Sequence, residues 1–144
     1  MNELLENLYQ DIIIDHSNTP RNFHILAHPD ICKEGHNMVC GDNITICINK
    51  KNEVIVDICF QGNGCAISIA SASIMTTLIK GKTVQQYFLL FEMFQLMVTK
   101  GEIYNSEKLG ELIAFSKLSD FPMRVKCATL AWHTLNAALK QNIE

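Results

Sequence analysis

A chain of 144 residues with 48% hydrophobic and 19% charged content is long enough to build its own core and too apolar to stay disordered. Its net charge of -3 gives no basic footprint for nucleic acid. The longest apolar segments carry Gln, Glu, Ser or Thr, which argues against a membrane span, and the opening MNELLENLYQDIIIDHS lacks the basic region of a secretory signal.

Residues 2–16 read as an amphipathic helix, with Leu4, Leu5, Leu8, Ile12 and Ile13 at spacings of three and four. Asn18 and Pro20 break the pattern. Residues 18–37 hold two prolines and a glycine and read as an extended connection, with room for a short strand near Cys32. NITICINK then puts Ile44, Ile46 and Ile48 on one face. KKN turns the chain, and EVIVDICF puts Val54, Val56, Ile58 and Phe60 on one face, which is a hairpin signal. Thr45, Asn49 and Asp57 fall on the other, wetter face.

QGNGC is a glycine turn, and CAISIASASIMTTLIKG reads as a helix of small residues ending at Gly81. KTVQQYFLLFEMFQLMVTKG reads as a helix from Thr83 to near Gly101, and NSEKLGELIAFSKL as a shorter third one. The last helix lies in SDFPMRVKCATLAWHTLNAALKQ, with Ser119 or Asp120 as cap and Pro122 in its first turn. The order predicts an α+β fold, with helices against a small antiparallel sheet, and 1–144 as a single domain.

There are six cysteines. With a sufficient core and no export signal, reduced thiols are expected, some of them metal ligands. Cys40 sits in a Gly-containing turn before a strand, Cys65 at a helix start, and Cys127 early in the final helix. A helix N-terminus lowers a thiol pKa, and Arg124, three positions before Cys127, can support its thiolate. Asp42 adds a hard oxygen donor beside Cys40. Cys40, Asp42, Cys65 and Cys127 thus form a candidate donor set of the kind zinc accepts in a tetrahedron. They come from separate segments, so a convergent site and unrelated core cysteines both stand on spacing alone.

YQDIIIDHSNTPRN, CGD, GNGCAISIASASIM and FPMRVKCATLAW, from about Tyr9 to Trp132, resemble the SufU branch of the IscU/NifU-N family of iron–sulfur cluster assembly proteins. Two departures from the IscU pattern agree with that branch: Lys126 stands where IscU has a histidine, and 81–120 forms a long helical insertion. The resemblance implies Zn2+ held by Cys40, Asp42, Cys65 and Cys127, with a transient 2Fe-2S cluster as the alternative. It implies a PLP-dependent cysteine desulfurase (SufS-like) as partner, Cys40 as acceptor of its persulfide sulfur, and downstream Fe–S assembly proteins as recipients. Reduced thiols and the missing export signal lead to the expectation of a cytoplasmic setting, and charge and hydropathy to that of no nucleic-acid or membrane partner. The competing function is a scaffold on which the cluster is assembled.

Other motifs read as ordinary structure. Cys47 and Cys59 are expected as core or half-buried thiols, and Cys32 as a loop residue with no role. His36 is expected at the surface, His16, His24 and His28 at the surface or as caps, and His133 on a different face from Cys127. Tyr87, Phe88, Phe91, Phe94 and Met97 read as a core stripe. GNG lacks a following GK[ST], which argues against a nucleotide loop. No His-x-Glu accompanies the cysteines, against a zinc deaminase or hydrolase, and no Cys-x-x-Cys pairs suggest a zinc finger.

Overall fold

The spacing of Ile12 and Ile13 with their neighbours becomes α1, Glu3–Asn18, in a computed structural model that describes residues 3–141. Asn2, the expected first helical residue, lies outside the described residues. Ile12 and Ile13 pack on the core, whereas Leu4 (80% exposed) and Leu8 point to solvent. The apolar stripe is therefore only half used.

Three strands follow: β1 (Ile31–Asn37), β2 (Asp42–Lys51) and β3 (Val54–Asn63). They pair antiparallel in the order β1-β2-β3. Ile44, Ile46 and Ile48 alternate inward and are fully buried, as period-two burial requires. The register shifts between Asn49 and Lys50. That irregularity turns Ile55 into the core and leaves Val56 44% exposed, against the expected run of Val54, Val56, Ile58 and Phe60. Cys32 lies within β1, not in a loop, and is disulfide-bonded to Cys47, directly opposite on β2. These two thiols are thus not reduced as expected: strand pairing sets their Cα atoms 4.1 Å apart.

The helices α2 (Ala66–Ile79), α3 (Val84–Lys100), α4 (Ser106–Leu109) and α5 (Pro122–Gln141) complete the fold. The small residues of α2 let it pack against both α1 and α5, with Ala70, Ser71, Ala72 and Ser73 fully buried. Ser71 Oγ accepts from Trp132 Nε1 at 3.1 Å and donates to the Ala128 carbonyl. Thr83 and Gln86 cap α3 reciprocally, and Gly101 ends it at φ 71°. Tyr87, Phe91 and Phe94 stack on Trp132, so the aromatic stripe is core as expected.

The expected third helix is broken. Gly110, at φ 53°, divides α4 from a 3-10 helix over Gly110–Phe115. Leu118–Asp120 form another 3-10 turn, so α5 begins at Pro122 with Phe121 before it. His16 is not a surface residue: it is 1% exposed, with Nδ1 2.7 Å from Ser73 Oγ and Nε2 3.1 Å from Glu111 Oε1. It ties α1 to α2 and to the first 3-10 helix. His24, His28, His36 and His133 are exposed. Among the described residues no helix is long and apolar enough to cross a membrane.

Candidate metal centre

The centre begins at the mouth of the first hairpin. β1 ends at Asn37 and β2 begins at Asp42, and these two residues are paired across the ladder. The turn between them closes through Gly41 N–H donating to the Asn37 carbonyl at 2.9 Å. Gly41 has φ 73°, a left-handed conformation that glycine adopts without the Cβ penalty. The turn leaves Cys40 exposed.

Asp42, by contrast, is 2% exposed. Its Oδ1 accepts the Cys65 backbone N–H at 2.9 Å, and its Oδ2 lies 3.5 Å from Asn37 Nδ2. The carboxylate thereby joins the first hairpin to the loop that enters α2. Gly64 makes this approach possible: a Cβ there would stand 2.7 Å from Asp42 Oδ1. Cys65 is the N-cap of α2, half-buried, with Sγ accepting from Ser68 N–H at 3.5 Å.

α5 brings the last thiol. Cys127 is 2% exposed, and Asn37 Nδ2 lies 3.6 Å from its Sγ. The ligand atoms of Cys40, Asp42 and Cys127 lie within 4.8 Å of one another. Burial pushes the Cys127 thiol well up, and hydrogen bonds with Cys40, Asp42 and Cys65 push it the same way. The structure thus brings three of the four expected donors together; the Cys65 sulfur lies outside that group, though it acts on the Cys127 thiol. Arg124 is exposed one turn before Cys127 and is not among the groups that shift it.

The donor set fits a cation. Among the described residues no Lys, Arg or His forms an ion pair with Asp42. A buried carboxylate held only by neutral donors, next to thiols, is costly unless a positive charge joins it. Three thiols and a carboxylate suit zinc, and thiolates also suit iron–sulfur clusters.

The family model for the NifU-like N-terminal domain matches residues 8–128. The chain belongs to the NifU-like N-terminal domain family. Within it, the chain is 39% identical to the zinc-dependent sulfurtransferase SufU of Bacillus subtilis, covering 93% of this chain and 90% of that one. It is 38% identical to the iron–sulfur cluster assembly scaffold protein IscU of Thermotoga maritima, covering 93% and 94%. The crystal structure of a protein described as an iron–sulfur cluster assembly scaffold for the SUF system (SufU), from Fervidobacterium islandicum AW-1, superposes with a TM-score of 0.85 at 35% identity, covering 93% of this chain and 98% of that one. The α+β expectation therefore holds, as does the resemblance read from the motifs.

Sequence reasoning missed Asn37, whose amide contacts both Asp42 and Cys127. A signal was present. Reading MVCG as a four-residue hairpin loop would have placed Asn37 opposite Asp42, on the same face of the sheet. Gly64 carries no comparable signal, because its need arises only when β2 meets the α2 loop.

Proposed function

We propose that this member of the family is a zinc-dependent sulfur carrier in iron–sulfur cluster assembly, with Cys40, Asp42, Cys65 and Cys127 as the ligands of one zinc ion. The observation that carries the reading is the contrast at the hairpin mouth: an exposed Cys40 with its sulfur within 4.8 Å of buried Asp42 and Cys127 donors. The resemblance to the Bacillus SufU supports it. Bound zinc would supply positive charge that favours thiolates and binding energy that stabilises the fold.

Cys40 is the acceptor in this reading. Its thiolate attacks the outer sulfur of a persulfide on a PLP-dependent, SufS-like cysteine desulfurase. The sulfur–sulfur bond breaks, the desulfurase cysteine leaves as a thiolate, and Cys40 carries the persulfide. Cys127 and Asp42 are buried and cannot meet a partner, whereas the Gly41 turn leaves Cys40 in reach. Asp42 is held by Cys65 N–H and by Asn37, so the centre keeps its shape while Cys40 turns outward. Exposed Arg124, one turn before Cys127 and not among the groups that shift its thiol in the metal-free chain, is assigned to favour the Cys127 thiolate of the zinc-bound centre. The carried sulfur passes to downstream Fe–S assembly proteins in the cytoplasm. The reading takes 1–144 as one domain, with 81–120 as its SufU-type helical insertion.

The second reading is a scaffold on which a 2Fe-2S cluster forms; the 38% identity to the Thermotoga IscU scaffold favours it. One experiment separates them. The protein is turned over with a cysteine desulfurase and cysteine, and its peptides are examined by mass spectrometry. One added sulfur atom on Cys40, and loss of desulfurase stimulation in Cys40→Ser, is the expected result. No sulfur on Cys40, together with a stable cluster spectrum after iron is added, overturns the carrier in favour of the scaffold.

A further inference from the structure

The three cysteines outside the metal centre share one rung of the sheet. Cys32 of β1 faces Cys47 of β2, and Cys47 faces Cys59 of β3. Cys32 and Cys47 are bonded, while Cys59 is a free thiol. Exposure is graded along the rung: Cys32 is exposed on an edge strand, Cys47 half-buried, and Cys59 buried. The Leu26 backbone hydrogen-bonds to the Cys59 thiol, so the chain entering the sheet covers that end.

The bond spans 15 positions and brackets the whole Cys40 turn. Residues 33–46 include Asn37, Cys40 and Asp42. β1 has a strand neighbour on one side only, and its inner face packs on α5. Its last residue, Asn37, reaches Asp42 and Cys127 through its side-chain amide. How firmly β1 is tied to β2 therefore bears on the position of Asn37 and of the turn beyond it.

We propose that Cys32 and Cys47 form a reversible thiol–disulfide exchange site for low-molecular-weight thiols and disulfides, whose oxidation state sets how firmly the Cys40 turn is held. A small thiolate attacks Sγ of the exposed residue Cys32. The Cys32–Cys47 bond breaks, Cys47 leaves with the electron pair as a thiolate, and a mixed disulfide forms at Cys32. A second small thiolate attacks the outer sulfur of that mixed disulfide. It releases Cys32 as a thiolate and leaves as the small-molecule disulfide, and each cysteine thiolate takes a proton from water. Two electrons pass from two small thiols to the protein disulfide, and the same steps reversed use the small disulfide as oxidant. Cys59, covered at its end of the rung, takes no part.

The test uses the full chain in glutathione buffers of graded disulfide-to-thiol ratio. Peptide-resolved alkylation reads each cysteine, and amide hydrogen exchange reads residues 33–46. Cys32 and Cys47 should become protected together as the ratio rises, with Cys59 unchanged. Exchange over 33–46 should be about tenfold slower in the oxidised chain, as local opening is restricted. The Cys32→Ser/Cys47→Ser variant should exchange at the faster rate at every ratio. If that variant does not fold, the oxidised and reduced wild-type chains decide the question. Independent protection of Cys32 and Cys47, or equal exchange over 33–46 in the two states, overturns the proposal. Neither measurement involves sulfur transfer, so the exchange site and the carrier reading stand or fall separately.

Discussion

Asp42 does two jobs with one carboxylate. One oxygen holds the Cys65 N–H, and the group as a whole offers negative charge to the centre. The two separate by mutation. Asp42→Ala leaves the Cys65 N–H without its partner and should cost about 1–3 kcal/mol in urea unfolding. Asp42→Asn keeps an acceptor there but removes the charge. It should unfold within about 1 kcal/mol of wild type and bind zinc more weakly in a chelator competition. An Ala variant as stable as wild type would show that the carboxylate does not hold the loop. Cys127 gives a pH prediction. Burial raises its pKa in the fold, so the unfolded chain loses that proton first. In the metal-free chain its contribution to stability is full below the ordinary thiol range of about 8.5 and is lost as pH rises above it. Cys59, also raised by burial, acts in the same direction. The decline in urea midpoint between about pH 8 and 10 should therefore be shallower, not absent, in Cys127→Ala.

At the scale of elements, the packing of β1 on α5 positions Asn37 against Cys127. Gly35 lies in that packing, where a Cβ would stand 2.0 Å from Thr134 Oγ1 and 3.2 Å from Thr134 Cβ. A Cβ there displaces the Thr134 hydroxyl from its bond to the Leu130 carbonyl or pushes the strand from the helix. Gly35→Ala should destabilise by about 1–3 kcal/mol and weaken zinc binding as β1 is pushed from α5. Thr134→Ala removes the oxygen and leaves an ordinary-to-tight contact, so the double variant should recover part of both losses. Thermal unfolding and zinc competition across the four chains give the coupling. Additive losses would mean that the two residues do not meet.

At the scale of the molecule, 81–120 does more than decorate the surface. α3 stacks Tyr87, Phe91 and Phe94 on Trp132 of α5, the helix that carries Cys127. Phe94→Ala should therefore cost about 3–5 kcal/mol and, by loosening α5, reduce zinc affinity as well. The outer side of α3 is different. Leu89 is 50% exposed and contributes nothing comparable to the core. Leu89→Glu should leave the unfolding midpoint within about 0.5 kcal/mol of wild type. If 81–120 biases partner choice, the same change should lower desulfurase affinity in a titration. Unchanged affinity there and at the neighbouring exposed positions would remove the partner role from this face.

Local patterns carried what depends on local physics. The alternation of Ile44, Ile46 and Ile48 told which face of β2 is buried, because strand side chains point to opposite sides with period two. Thr83 and Gly101 marked the ends of α3, because caps are satisfied within one turn of chain. The order of CGD, GC and the last cysteine pointed to the donor set, since those residue types suit a metal wherever they meet. The register shift after Asn49 was not legible, and it put Ile55 inside and Val56 outside. Nor was the burial of His16, whose partners Ser73 and Glu111 lie 57 and 95 positions away. The Cys32–Cys47 bond was missed for the same reason, since only the pairing of β1 with β2 puts those residues opposite each other. The sequence by itself determined the main element types and the inward face of β2, which follow from neighbours in the chain, and it named the candidate ligands by residue type and motif without bringing them together. Tertiary structure alone decided that Cys40 is exposed while Asp42 and Cys127 are buried within 4.8 Å of it, because that contrast depends on three distant segments packing around Asn37 and Gly64.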